Sequence, residues 1–176
     1  LFEQAFCQTA QCCPSRFSIL TGLHARSHGL YFNEMRESPD VPTVAELFQA
    51  AGYATATIGK HHLSMDRIPD QHGFEVVIDE RTFGKDIRAA DAPVYDKDGT
   101  WLPEFIHPGQ SRVGVSAANN EHHPSGYFTD ETLKFLRKNR NQPFCVWYSF
   151  LDPRIPVPPS EPRKSMYDPA KLTLLR

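Results

Sequence analysis

Several features that would define the class of this protein at once are missing from its sequence. No run approaches the roughly 20 apolar residues that a membrane-spanning helix needs, so we predict no transmembrane segment in this chain. Basic residues are scattered, and a net charge of −2 with a pI near 6.5 gives no reason to expect nucleic-acid binding. Four cysteines do not make a disulfide framework, and without a C-x-x-C pattern they predict no zinc site.

The remaining composition is that of an ordinary globular protein. Apolar residues make up 40% and charged residues 23% of 176 residues, which argues against disorder of the whole chain. The first residue is not Met, and residues 174–176 follow what reads as the start of a new element. We therefore expect an interior piece of a longer protein. A leader peptide is neither visible nor excluded, so a periplasmic, secreted or lysosomal location stays open.

Helix and strand signals alternate along the chain, which is typical of an α/β sheet protein. A Thr-x-x-Glu capping box at residues 43–46 predicts a helix start, and this helix is predicted to bury Leu47, Phe48 and Ala51. Residues 64–125 are weakly periodic and are predicted to be irregular. The other predicted elements are helices over 14–23 and 129–138, short strands at 74–78 and 113–115, a strand over 53–59, and a central apolar strand over 144–150.

The most informative segment is C-C-P-S-R-F-S-I-L-T-G, residues 12–22. It puts cysteine at the start of a predicted helix, where free amides and the helix dipole favour an anion. Arg16 adds a permanent charge whose fork geometry suits an oxyanion. The alternative is an inert buried cysteine. We prefer that alternative for Cys13, whereas the flanking pattern favours a chemical role for Cys12.

A second segment, G-K-H-H-L at residues 59–63, follows a predicted strand. The carboxyl ends of strands are where α/β folds place their active sites. Lys60 supplies a compact cation, and His62 supplies a group that titrates near neutral pH. Alone, these side chains would be interpreted as exposed and without function. We assign no role to His61.

Both segments resemble signatures of the sulfatase family, C-x-P-S-R-x-x-x-L-T-G and G-K-x-H-L. The resemblance implies an alkaline-phosphatase-like α/β fold with a mixed sheet flanked by helices, incomplete in this chain. Residues 1–176 would then be part of the N-terminal catalytic domain of a sulfatase. It further implies that a formylglycine-generating maturation enzyme oxidises Cys12 to formylglycine.

The reaction implied by the resemblance is hydrolysis of a sulfate ester. One hydroxyl of the hydrated formylglycine at Cys12, activated by a metal ion, attacks sulfur and releases the alcohol. The other loses its proton to His62 as sulfate leaves, while Arg16 and Lys60 stabilise the developing charge. The metal would be a divalent cation, calcium by resemblance, bound by Cys12 as formylglycine and by ligands outside this chain. We therefore expect the segment alone to be inactive.

Arg154 departs from the family pattern, which has a histidine at this position after a proline. A guanidinium group does not act as a general acid, and general acid catalysis is worth about 10²–10⁴-fold in rate. We predict that Arg154 binds the sulfate together with Lys60 and His62. The enzyme should then favour esters of acidic alcohols such as phenols.

Two alternatives stay open. A phosphonate monoester or phosphodiester hydrolase of the same superfamily shares the signature. A non-catalytic homologue would explain Arg154 and the missing metal ligands, although the intact signature around Cys12 argues against it.

Three shorter matches to the family are interpreted as structural: residues 26–29 (R-S-H-G), 72–74 (H-G-F) and 166–169 (M-Y-D-P). The histidines at positions 107, 122 and 123 (His107, His122 and His123) are interpreted as surface residues.

Overall fold

Three parallel strands form the sheet in the computed structural model: β1 (Ala54–Gly59), β2 (Val76–Ile78) and β3 (Phe144–Ser149). Their order is β2-β1-β3. The structure describes residues 3–33, 35, 40–63, 72–89, 123–152 and 165–171. Among these residues, none of the helices combines the length and the apolar character needed to span a bilayer.

The central strand is β1, whose last five residues are all buried. Its β-branched threonines and isoleucine suit the middle of a sheet. The prediction that the 144–150 strand is central was wrong for the described sheet, where β3 pairs with β1 and its side chains are mostly half-buried. An apolar run indicates that both faces of a strand are covered, but it does not indicate the order of the strands in the sheet.

The chain forms two compact units, and the first, Leu1–Asp79 with Thr132–Ser149, contains the sheet. Among its described residues, the helices that lie wholly in this unit are α1 (Cys12–Thr21), α2 (Ala25–His28) and α3 (Val44–Ala50). The helix predicted over 14–23 thus begins earlier, at Cys12. It ends at Thr21, two residues before the predicted end, and Gly22 caps it with a φ of 70° and an N–H donated to the carbonyl of Ser18.

The predicted capping box of α3 is confirmed. The Glu46 N–H donates to Oγ1 of Thr43 at 3.2 Å, and the Thr43 N–H donates to the Glu46 carboxylate at 2.6 Å. The predicted buried face was wrong, because Leu47 is 61% exposed and Ala51 is also exposed. This short helix meets the core through its first turn instead. Its buried residue Ala45 packs in a cluster with Leu20, Leu63 and Phe74.

The H-G-F segment has the structural role that was predicted for it, since it ties α3 to the sheet. Oγ1 of Thr43 donates to the carbonyl of His72 at 2.7 Å, and Oγ1 of Thr55 donates to the carbonyl of Gly73 at 2.7 Å. Gly73 has a φ of 87°, and a Cβ at this position would overlap the backbone of Glu46. Only glycine fits both constraints.

The R-S-H-G segment likewise has a structural role, through His28. This side chain is fully buried, and its ring packs edge-on against Phe17. Nδ1 accepts the Leu30 N–H at 3.1 Å, so the ring hydrogen lies on Nε2, 2.8 Å from Oγ of Ser18. Burial lowers the pKa of His28.

The second unit, Glu80–Glu131 with Phe150–Arg176, contains α4 (Glu80–Ala89), the first half of α5 (Pro124–Asn139) and a 3₁₀ turn at Pro169–Lys171. Helix α4 was not predicted. Its buried Phe83 packs on the rings of Tyr127 and Phe128. Helix α5 begins at Pro124, before the predicted residue 129. A proline is well suited to the first position of a helix. The strand predicted at 113–115 lies outside the described residues.

Replacing Gly73 with alanine should destabilise the full-length protein far more than the same change at Gly52. Both glycines have positive φ, and an added Cβ costs about 1–2 kcal/mol for that reason alone. Gly52 has open space around it, whereas Gly73 would also overpack against α3 at a further cost of about 1–3 kcal/mol. Urea unfolding of the two variants measures the difference, and equal losses would contradict this account of the turn.

The stability of the protein should depend on pH through His28. Because burial lowers its pKa below 6.5 in the folded state, the unfolded chain binds the proton first as the pH falls. The contribution of a neutral His28 is therefore complete above pH 6.5 and is lost below it, by up to about 1.4 kcal/mol per pH unit.

Urea unfolding at a series of pH values should show a shallower acid slope for His28→Gln than for the wild type. The matched control is His24→Gln, which changes an exposed histidine and should keep the wild-type slope. Identical slopes for the wild type and His28→Gln would refute the assignment.

Candidate functional site

Cys12 and His62, distant in sequence, lie side by side in the structure. Sγ of Cys12 is 2.9 Å from Nδ1 of His62, so a thiol and an imidazole are within hydrogen-bond distance. Cys12 is the first residue of α1, and His62 lies in the loop after β1. This is the arrangement of a nucleophile beside the base that activates it.

Asn33 completes the surroundings of Cys12, although sequence reasoning missed it. Its Oδ1 accepts the backbone N–H of Cys13 at 3.0 Å and lies 3.5 Å from Sγ of Cys12. The Asn33 N–H in turn donates to the side chain of Gln11, the residue that precedes the helix. Asn33 thus caps α1 from a distant turn and satisfies one of its unpaired amides. No local motif marks an asparagine for such a contact.

Gly59 allows the ends of β1 and β3 to approach closely. It has a φ of 91°, and a Cβ at this position would overlap the carbonyl oxygen of Ser149. The next residue, Lys60, donates its N–H to that same carbonyl at 2.9 Å and is 8% exposed. The backbone conformation and the close contact therefore require glycine as the first residue of G-K-x-H-L.

Arg16 is anchored at the junction of these strand ends. Its Nη1 donates to the carbonyl of Lys60 at 2.7 Å and to Oγ of Ser149 at 2.8 Å. The structure thus brings Arg16, Lys60, Cys12 and His62 to one edge of the sheet. Ser149 was also missed, although its place as the last residue of β3 could have identified it, because carboxyl ends of parallel strands share an edge.

His62 has a φ of 43°, the left-handed conformation that costs a residue with a Cβ about 1–2 kcal/mol. The following residue is held in the core, since Leu63 is 1% exposed and its carbonyl accepts the thiol hydrogen of Cys13. Cys13 itself is fully buried, which agrees with its predicted inert role. The strain at His62 is sustained by such neighbouring contacts.

Cys12 and Arg16 border a cleft of about 490 Å³. Helix α1 forms one wall and strand β3 forms the other. The lining residues are Cys12, Ser15, Arg16, Ile19 and residues 146–149. Arg154, the remaining residue predicted to bind sulfate, lies outside the described residues, as do His107 and His122.

The described residues do not by themselves fit a calcium ion. Within the part of the chain that the structure describes, no three His, Cys, Asp or Glu side chains group together as ligands. The polar neighbours of the Cys12 sulfur are an imidazole nitrogen and one amide oxygen. Calcium prefers about six to eight oxygen ligands. The roles proposed for these residues therefore include no step at a metal ion.

The contact with His62 should make the Cys12 thiol more reactive towards an alkylating agent than it would be without the imidazole. In full-length protein produced without a maturation enzyme, His62→Gln should slow alkylation of the Cys12 thiol by iodoacetamide about tenfold, because the adjacent base is lost. Peptide mass spectrometry resolves each cysteine, and exposed Cys7 is the internal control.

The matched histidine control is His24→Gln, which removes an exposed imidazole and should leave the rate at Cys12 unchanged. An unaltered rate in His62→Gln would mean that the two side chains do not interact in solution.

Comparisons with known proteins identify the family and the fold of this chain. Residues 1–169 match the family model described as Sulfatase. The N-acetylglucosamine-6-O-sulfatase of Bacteroides thetaiotaomicron is 29% identical over 148 residues, which are 84% of this chain and 23% of that protein. The arylsulfatase of Clostridium perfringens is 26% identical over an alignment of 183 positions, which covers 94% of this chain and 38% of that protein.

Among solved structures, the phosphonate monoester hydrolase of Agrobacterium radiobacter has a TM-score of 0.72 at 20% identity. The match covers 96% of this chain and 37% of that one, and it shows a shared fold. The chain thus spans less than two-fifths of the length of these relatives. The predicted alkaline-phosphatase-like α/β class is confirmed, and the chain belongs to the sulfatase family.

Proposed function

We propose that the full-length protein hydrolyses a sulfate ester and that position 12, after oxidation of Cys12 to formylglycine, supplies the nucleophile. The observation that carries the proposal is the contact between Cys12 and His62 at the head of α1, beside the anchored guanidinium of Arg16. Membership of the sulfatase family supports the ester class. We further propose that residues 1–176 belong to the N-terminal catalytic domain.

His62 has the role of a base at position 12. Formylglycine, once hydrated, offers hydroxyl groups in place of the thiol. Nδ1 of His62, which lies 2.9 Å from Sγ of Cys12, is placed to accept a proton from such a group. An imidazole is suited to this task because its ordinary pKa lies near neutral pH.

Arg16 and Lys60 supply positive charge where the sulfuryl oxygens become more negative. Arg16 is fixed by the carbonyl of Lys60 and by Ser149, so its charge needs little rearrangement during the reaction. Lys60 is nearly buried, and a cation acts more strongly where water is scarce. Arg154 is proposed as a further sulfate ligand on the grounds of its position in the sequence.

The proposal includes two external contributors. One is the formylglycine-generating enzyme that would modify Cys12. The other is a divalent cation, calcium by family resemblance, which would bind formylglycine at position 12 through ligands supplied mainly by the rest of the protein. The roles proposed for His62 and Arg16 rest on their own contacts, and the role proposed for Lys60 rests on the family pattern and on its burial; none depends on which cation binds.

A phosphonate monoester hydrolase is the second candidate function. The fold shared with the enzyme of Agrobacterium radiobacter favours it, but at 20% identity this likeness concerns the fold alone. Sulfate and phosphonate esters both present tetrahedral oxyanions to Arg16 and Lys60, so the two must be separated by assay. A non-catalytic role is less consistent with the thiol–imidazole contact at Cys12.

The full-length protein, matured in a host that contains a formylglycine-generating enzyme, should hydrolyse an aryl sulfate faster than an aryl phosphonate monoester. Cys12→Ala should lower the turnover of the sulfate at least about 10³-fold, because the nucleophile is lost. The peptide that contains Cys12 should be about 18 Da lighter than its unmodified form.

The matched control is Cys7→Ala, which removes an exposed cysteine from the same segment and should retain full activity. Undiminished turnover in Cys12→Ala would overturn the proposed nucleophile. Faster hydrolysis of the phosphonate would replace the sulfatase assignment with the second candidate.

A further inference from the structure

His61 occupies the variable position of G-K-x-H-L, yet its side chain makes a specific contact. Its Nε2 lies 3.5 Å from Oδ2 of Asp79, and the two side chains are only 22% and 15% exposed. Asp79 directly follows β2, and His61 lies in the loop after β1. The pair therefore links the segments that follow two neighbouring parallel strands.

The ring of His61 has a definite orientation in this contact. Its Nδ1 is buried and accepts or donates no hydrogen bond among the residues that the structure describes. A hydrogen on that buried atom would lack an acceptor, so the neutral ring would carry its hydrogen on Nε2, the nitrogen 3.5 Å from Asp79. The contact thus restricts both the position and the rotation of the side chain.

The residue that follows His61 is the strained one. His62 has a φ of 43°, and such a backbone persists only when its surroundings hold it. Before His61, the backbone of Lys60 is fixed by Ser149 and Arg16. After His62, the backbone of Leu63 is fixed by Cys13. The His61–Asp79 contact adds a third attachment, to β2, immediately before the strained residue.

We infer that His61 and Asp79 are positioning residues that keep Nδ1 of His62 against position 12. Among the residues that the structure describes, the Cys12 side chain contacts His62 and Asn33, so His61 and Asp79 would act through the backbone of the loop. The effect on turnover rests on the proposed function. The effect on the contact between His62 and Cys12 does not, since that contact already exists in the unmodified chain.

The test uses full-length protein produced without a maturation enzyme, so that position 12 remains a thiol. Asp79→Ala and His61→Ala should each slow alkylation of Cys12 by iodoacetamide about three- to tenfold, approaching the effect of losing the base itself. The double variant should be no slower than Asp79→Ala alone, because the contact between the two side chains is already lost in that variant. Asp79→Asn keeps an acceptor oxygen and should restore part of the rate.

Two other cysteines separate positioning from general damage to the fold. Alkylation of exposed Cys7 measures the reactivity of the reagent, whereas alkylation of fully buried Cys13 measures unfolding. Both should keep their wild-type rates in the Asp79 and His61 variants. Glu80→Ala removes the exposed carboxylate next in sequence and should change nothing at Cys12. A rise at Cys13, or an unchanged rate at Cys12, would overturn the inference.

Turnover by the matured enzyme gives a second readout. Asp79→Ala should lower kcat for an aryl sulfate about 10–100-fold with KM changed less than about twofold, because the affected group acts on the reacting atoms. If the wild type hydrolyses no sulfate ester, the proposed function fails and the alkylation rates still decide the inference. If the wild type is active but Asp79→Ala keeps both its kcat and its Cys12 rate, the inference alone fails.

Discussion

The close approach of Gly59 to the carbonyl of Ser149 is the constraint on which the candidate site depends. It brings the last residues of two parallel strands together and leaves that carbonyl available to the N–H of Lys60. Arg16 then bonds to both sides of the junction. Because these contacts fix the start of the loop after β1, they also limit where His62 can lie.

Helix α1 supplies the other half of the site. Its first turn brings Cys12 to His62, while its neighbour Cys13 and Phe17 pack in the core with Leu30. Packing and chemistry therefore use different faces of one short helix. The distant side chain of Asn33 holds the start of that helix, so the position of Cys12 depends on contacts from separate segments of the chain.

Local signals in the sequence predicted what local interactions control. The capping box of Thr43 and Glu46 and the end of α1 beside Gly22 both follow from backbone chemistry within a few residues. The contacts of Ser149 and Asn33 could not be predicted in this way, since they depend on strand order and on a distant turn. Sheet order likewise placed β3 beside β1 rather than at the centre, and α4 was missed because its residues are mostly charged or polar, although its pattern is amphipathic.

The two neighbouring cysteines show how a helix can divide the chemistry of vicinal thiols. Successive side chains on an α-helix point about 100° apart. One sulfur is consequently sealed in the interior against a peptide carbonyl, while the other meets an imidazole. Burial of one thiol and an imidazole beside the other thus place two adjacent, otherwise identical groups in different chemical surroundings.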